Sequence, residues 1–134
     1  MPSSASPPLP SYIYGLHDIG GQDHMANAGR PGWLLDTVDV HSQGGTDYSS
    51  LTNAGFGILV RLNNGYGTAG TIPPSSQYDT FAAQCAAFVQ KSSGAHIWLI
   101  GNEMNTSAEQ PELADGSRDE ITPQNYAQCF LKCR

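Results

Sequence analysis

The sequence predicts an α/β fold of four parallel βα units, the first half of a (β/α)8 TIM barrel. Four apolar runs rich in β-forming residues recur at 12–19, 33–40, 56–64 and 96–103. Each run leads through a loop into a segment with helical signals, and such alternation implies parallel strands joined by crossovers. All four runs end in polar residues: His17-Asp18, Asp39 with His41, Arg61 with Asn63-Asn64, and Asn102-Glu103. A barrel gathers its catalytic groups at that end of its strands, so these residues are expected on one rim. An open doubly wound sheet accepts the same element order. Its nucleotide-binding members need a glycine fingerprint, and "GLHDIGGQDH" contains no GxGxxG; no Walker A motif occurs either.

The elements follow in order. The opening "MPSSASPPLPS" reads as a flexible Ser/Pro-rich leader over 1–11, with 12–134 as the half barrel. It has neither a positive n-region nor an apolar h-region, so it is not a signal peptide. A mature secreted domain and a piece of a longer chain look alike here, and the compartment stays open. "GQDHMANAGRPG" is too glycine-rich for more than a turn or short helix, and "TDYSSLTNAGF" reads as a short helix ending at Gly55. In "PPSSQYDTFAAQCAAFVQKSSG", Ser75 or Ser76 is the expected cap, with Asp79 completing a capping box after Ser76. Tyr78, Phe81, Cys85, Phe88 and Val89 form its apolar stripe and Gly94 its stop. The last segment, "ITPQNYAQCFLKCR", has Thr122 as N-cap and Pro123 at the first helical position, where its missing N–H costs nothing.

Composition excludes several functions. The chain has 134 residues, enough for one modest core, and its formal net charge is −6. No basic run offers phosphates a footprint or a membrane a polybasic patch. No stretch of about 18 apolar residues exists to span a bilayer. The three cysteines, Cys85, Cys129 and Cys133, form no CxxC pair and fall in phase with apolar helix positions, as small buried fillers would. His17, His24, His41 and Asp18 match no recognised ligand spacing, so neither metal nor cofactor is expected. No Ser-His-Asp order with a nucleophile elbow appears. Asn105-Thr106-Ser107 is a glycosylation sequon, relevant only in a eukaryotic secretory pathway.

The run "HIWLIGNEMN" carries the chemistry. A carboxylate ending a buried parallel strand is partly desolvated, which raises its pKa and suits it to donate a proton. Glycosidic bond cleavage needs such an acid and a second carboxylate as nucleophile or base. The plainer alternative is that Glu103 caps a following turn or pairs with Arg61. His17 lines the same rim or is a hydrogen-bonded structural residue. Arg61 shares a face with Asn63 by strand alternation and holds either Glu103 or a substrate hydroxyl. Tyr66 and Trp33 stack on sugar faces or simply pack.

"IWLIGNEMN" resembles the fourth-strand signature of clan A glycoside hydrolases, the (β/α)8 superfamily that includes the family 5 cellulases. "YIYGLHDIGGQ" and "GFGILVRLNNGYGTAGTIP" are similar to the N-terminal half of a family 5-like group. The resemblance implies Glu103 as general acid/base of a retaining mechanism and Asn102 as the neighbour that contacts the sugar. It implies an oligo- or polysaccharide substrate, with His17, Arg61, Asn63 and Tyr66 as further binding residues.

The sequence departs from the clan in one respect. The clan's nucleophilic Glu ends the seventh strand, and this sequence shows four. Glu109, Glu112, Asp115, Asp119 and Glu120 lie in "SAEQPELADGSRDEITP", which reads as a solvated acidic loop. Asp18 or Asp39 could supply a second carboxylate, though no spacing demands it. The chain alone is therefore expected to be inactive, with the activity belonging to a longer parent. Exposed parallel edges and an uncovered apolar interior lead to an expectation of self-association. The alternative is a non-catalytic carbohydrate-binding or interaction module.

Overall fold

In the computed structural model, residues 8–41 and 44–134 are described. One parallel sheet runs in the order β1-β2-β3-β4, with β1 at Gly15–His17, β2 at Trp33–Asp39, β3 at Gly57–Asn63 and β4 at Ile97–Ile100. Helices follow the strands: α1 at Gln22–Asn27, α2 at Ser49–Asn53, α3 at Tyr78–Lys91 and α4 at Pro123–Cys133. The strand order follows the chain without reversal. A doubly wound sheet reverses its order at a switch point, and these four strands do not.

Alternation along the strands gives the sheet two unlike faces. Leu34, Val38, Ile58, Val60, Leu62 and Ile100 are buried. They form one core with Met25 of α1, Phe81, Cys85 and Phe88 of α3 and Cys129 of α4. Burial of each large side chain there contributes about 1.5–3 kcal/mol. The opposite face carries Leu35, Thr37, Leu59, Arg61 and Leu99, all half-buried, and Ile97, which is exposed. No helix among the described residues is long and apolar enough to cross a membrane.

The two longer helices form where their signals lie, and one cap differs. Thr122 Oγ1 accepts from Asn125 N at 3.1 Å, with Pro123 opening α4. In α3 the buried residues are Tyr78, Phe81, Cys85 and Phe88, a stripe of helical period, and Phe88 meets Trp98 edge-on at 6.2 Å. The predicted capping box does not form. Ser75–Gln77 makes a 3-10 turn, α3 starts at Tyr78, and the Ser75 backbone N–H and hydroxyl both donate to Asp119 of a distant loop, at 2.6 and 2.8 Å. At the other end, α3 stops at Lys91 with Ser92 extended, before Gly94 is reached.

The strands are shorter than their apolar runs. Within the first run only Gly15–His17 pairs, because β2 begins at Trp33, opposite Gly15. Residues 12–14 thus lack a partner strand, and Ile13 is almost wholly exposed. β4 ends at Ile100, where Gly101 turns the chain at φ 70. Of the leader, residues 1–7 lie outside the described residues. Residues 8–10 have no regular structure, and Pro8 O accepts from His96 Nε2 at 2.9 Å.

Candidate functional site

A pocket of about 520 Å³ opens at the C-terminal ends of the strands. Its lining includes Glu103, Asn102, His17, Arg61, Asn63 and Tyr66, the six residues singled out in the sequence, together with Asp18, Thr37 and Glu109. Strands β1, β3 and β4 deliver polar residues from their ends, and β2 contributes Thr37. A second concavity of about 310 Å³ shares Arg61, Asn102 and Glu103 and extends past Leu99 toward Tyr126 and Phe130.

Thr71 fixes the geometry of this rim. It is fully buried, and its Oγ1 accepts from Asn102 N at 2.5 Å and donates to Asn63 Oδ1 at 3.2 Å. Its own N–H donates to Glu109 O and its carbonyl accepts from Asn64 N, at 3.0 and 2.9 Å. One threonine thereby ties the exits of β3 and β4 to the loop that carries Glu109. Nothing in its local sequence signals this role, because every partner comes from the tertiary fold.

On the other side of the pocket a polar chain crosses three strands. Arg61 Nη1 lies 3.4 Å from His17 Nε2 and 3.4 Å from Thr37 Oγ1. Arg61 can only donate, so His17 Nε2 accepts and its proton sits on Nδ1, 3.0 Å from Asp18 Oδ1. Arg61 makes no ion pair with Glu103 among the described residues, so of the two roles open to it, holding Glu103 is not the one observed. The reason is register. Arg61 stands in register with Thr37 and with Leu99, which lies four residues before Glu103, and its guanidinium reaches His17 of β1.

Glu103 itself departs from expectation in its environment. Its side chain is exposed, so the desolvation expected of a buried strand end does not occur in this chain. Among the described residues no further strand packs beside β4 to cover it. The carboxylate makes no hydrogen bond or ion pair among the described residues, while the Glu103 carbonyl closes a turn by accepting from Thr106 N at 2.8 Å. Its backbone is at φ 43, and Asp18 at the end of β1 is at φ 72. They are the two non-glycine residues in the left-handed region among those described, and both lie in the pocket. Such backbone strain concentrates at binding and catalytic sites.

Several other readings require correction. Glu109 does not sit in a solvated acidic loop: it lines the pocket, and its Oε2 is buried with no hydrogen-bond partner. Asp119 is half-buried against Ser75, whereas Glu112, Asp115 and Glu120 are exposed as expected. Trp33 begins β2, at the end of the sheet remote from the pocket, and packs edge-on against His96 at 5.7 Å. It cannot stack on anything held at the rim. Asp39 turns away from the pocket to accept from His41 N at 2.8 Å, and His41 Nε2 donates to Asn64 Oδ1 at 2.8 Å. Tyr66 is 62% exposed and lines the pocket.

The arrangement offers three carboxylates, Asp18, Glu103 and Glu109, in one pocket with two amides, a guanidinium, an imidazole and an exposed aromatic ring. Those are the groups that bind polyhydroxylated molecules and move protons near them. Comparison with protein-family models, with curated proteins and with solved structures finds no match to this chain.

Proposed function

We propose that this chain is the acid/base half of a retaining glycoside hydrolase of the (β/α)8 type, with Glu103 as the proton donor. The observation that carries the reading is the convergence of six polar and aromatic residues, from three strand ends and one loop, on a single pocket. The sheet supports it too: the strands follow chain order, their helix-side face is packed, and the other face carries Leu35, Leu59, Leu99 and Ile97. Asn102 would contact a sugar hydroxyl next to the scissile bond, and Tyr66 would stack on a ring face. Arg61 and His17 would fix hydroxyls at the base of the pocket.

The described residues form four strands and the clan's nucleophile ends a seventh, so binding without turnover is the expected behaviour of these residues alone. Exposure of Glu103 fits the same reading, because a proton donor needs a drier setting than this open rim provides. A second half, whether another copy or further chain, would cover it.

The second reading, a carbohydrate-binding module without chemistry, draws on the exposed ring of Tyr66. An assay of reducing-end release separates the two. Sugar release by the chain with its second half present, abolished by Glu103→Gln, supports the enzyme reading. Binding with no release under that condition favours the module.

A further inference from the structure

The loop that carries Tyr66 is held by a side chain that does not itself line the pocket. Beyond β3 the loop 65–70, "GYGTAG", turns through the short 3-10 segment Gly67–Ala69. Three of its six residues are glycine, and Gly67 and Gly70 stand at φ 60 and 75. So many glycines give a loop many conformations to lose on ordering. Within it Ala69 N–H donates to Tyr66 O at 3.3 Å and Gly70 N–H to Gly67 O at 3.0 Å. The Tyr66 side chain makes no hydrogen bond among the described residues, so the loop sets its place at the pocket.

Asn64 closes this loop at its stem. It is buried, and both polar atoms of its side chain are paired. Nδ2 donates to Ala69 O at 2.7 Å and, more weakly, to Gly70 O at 3.5 Å, while Oδ1 accepts from His41 Nε2 at 2.8 Å. Chemistry fixes this orientation: a carbonyl only accepts, so the amide nitrogen faces Ala69 and the proton of the other bond sits on His41 Nε2. The Asn64 N–H also donates to Thr71 O at 2.9 Å, which ties both feet of the loop to one residue. Glu112 N–H holds the middle of the loop at Thr68 O, at 2.8 Å, and leaves the stem to Asn64.

We propose that Asn64 is a positioning residue for ligand binding: braced by His41, its amide holds the stem of the 65–70 loop and so sets Tyr66 at the pocket. Asn64 is absent from the pocket lining, and its effect on a ligand passes through Tyr66. The inference rests on the proposed reading of Tyr66 as the ring that stacks on a sugar. His41 is exposed just beyond β2, and its bond keeps the Asn64 amide from turning over. Position 64 must accept on one side and donate on the other. An Asp there would set a second acceptor against Ala69 O.

The test has two arms. Hydrogen exchange of the ligand-free chain follows the Ala69 and Gly70 amides, which Asn64→Ala should speed at least about tenfold while the centres of β2 and β3 keep their rates. Unchanged exchange at 69 and 70 would overturn the brace whatever any ligand does. Calorimetric titration with cello-, xylo- and mannotetraose then compares Asn64→Ala, Tyr66→Ala and the double variant. Each single substitution should weaken binding about five- to tenfold. The double should lose no more than about twofold beyond the weaker single, because one residue acts through the other. Independent losses, about 25-fold or more together, would contradict the proposal. No tetraose bound, or full affinity in Tyr66→Ala, beside faster exchange in Asn64→Ala would instead sink the stacking reading, and the role of Asn64 in binding with it. His41→Ala changes an exposed side chain and covers the case in which Asn64→Ala does not fold. It should speed the same amides and weaken binding about two- to threefold. His41→Gln should restore both, since its amide can donate to Asn64 Oδ1. Parent-like exchange and affinity in His41→Ala would overturn the brace in that case.

Discussion

Thr71 Oγ1 accepts from the backbone N–H of Asn102 at 2.5 Å, so the residue before the candidate proton donor is held by a side chain from a different loop. The same hydroxyl donates to Asn63, which is buried at the end of β3. Replacing Thr71 by Val keeps its shape and removes both bonds, leaving a buried amide oxygen and a rim N–H unpaired. The expected loss is about 1–3 kcal/mol of stability, read by urea denaturation. A Thr71→Val chain as stable as the parent would show that the rim is held by something else.

Glu109 has the opposite problem, an acceptor oxygen buried at a pocket wall with nothing donating to it. A bound sugar hydroxyl would satisfy it, and hydrogen bonds to charged groups are worth about 1.5–3 kcal/mol. Glu109→Gln is therefore expected to weaken oligosaccharide binding at least about tenfold, with little change in the thermal midpoint. Titration calorimetry of the two proteins against the same ligand makes the comparison. Unchanged affinity would remove Glu109 from the site.

These two residues also show where sequence legibility stops. The strands, the stripe of α3 and the Thr122 cap could all be read because each is set by neighbours within one or two turns. Five of the six rim residues were legible because strand ends in a parallel sheet share an edge, and Tyr66 because its loop follows β3 directly. Thr71 and Glu109 acquire their roles from contacts with distant segments, and Ser75 is claimed by Asp119 in preference to the helix it precedes. Trp33 misled for another reason: its ring chemistry suits sugar stacking, but its place at the start of β2 points it at His96. The burial expected of Glu103 depended on neighbours that these four strands do not provide.

Acid stability should depend on Asp47. Hydrogen bonds from Ser49 and then Ser93 lower its pKa from 3.8 to about 2. A depressed folded-state value means that the carboxylate stabilises the fold above 3.8 and that this contribution is lost as the pH falls toward about 2. Asp47→Asn should flatten the stability curve within that window and leave its shape unchanged above it. Urea midpoints measured across the window check this. Curves for the two proteins that stay parallel throughout would contradict the assignment.

The uncovered face of the sheet predicts association. Among the described residues Leu35, Leu59, Ile97 and Leu99 lie opposite the helices with no layer over them, and β1 and β4 are the two edges of the sheet. A two-fold axis along the strands would set β4 of one copy beside β1 of the other, in parallel, and bury both faces. Light scattering should give twice the 14.3 kDa chain mass. Leu99→Lys should give a monomer, since it charges that face without touching the helix-side core. A monodisperse monomer of the unsubstituted chain would contradict the half-barrel account.

The most direct test of the central claim is calorimetric titration of the chain with β-linked glucan, xylan and mannan oligosaccharides, run beside Asn102→Ala, Tyr66→Ala and Glu103→Gln. The account predicts that at least one ligand class binds, that the first two variants lose about five- to tenfold or more in affinity, and that Glu103→Gln still binds. No binding across the panel, or binding that all three variants leave unchanged, would contradict it.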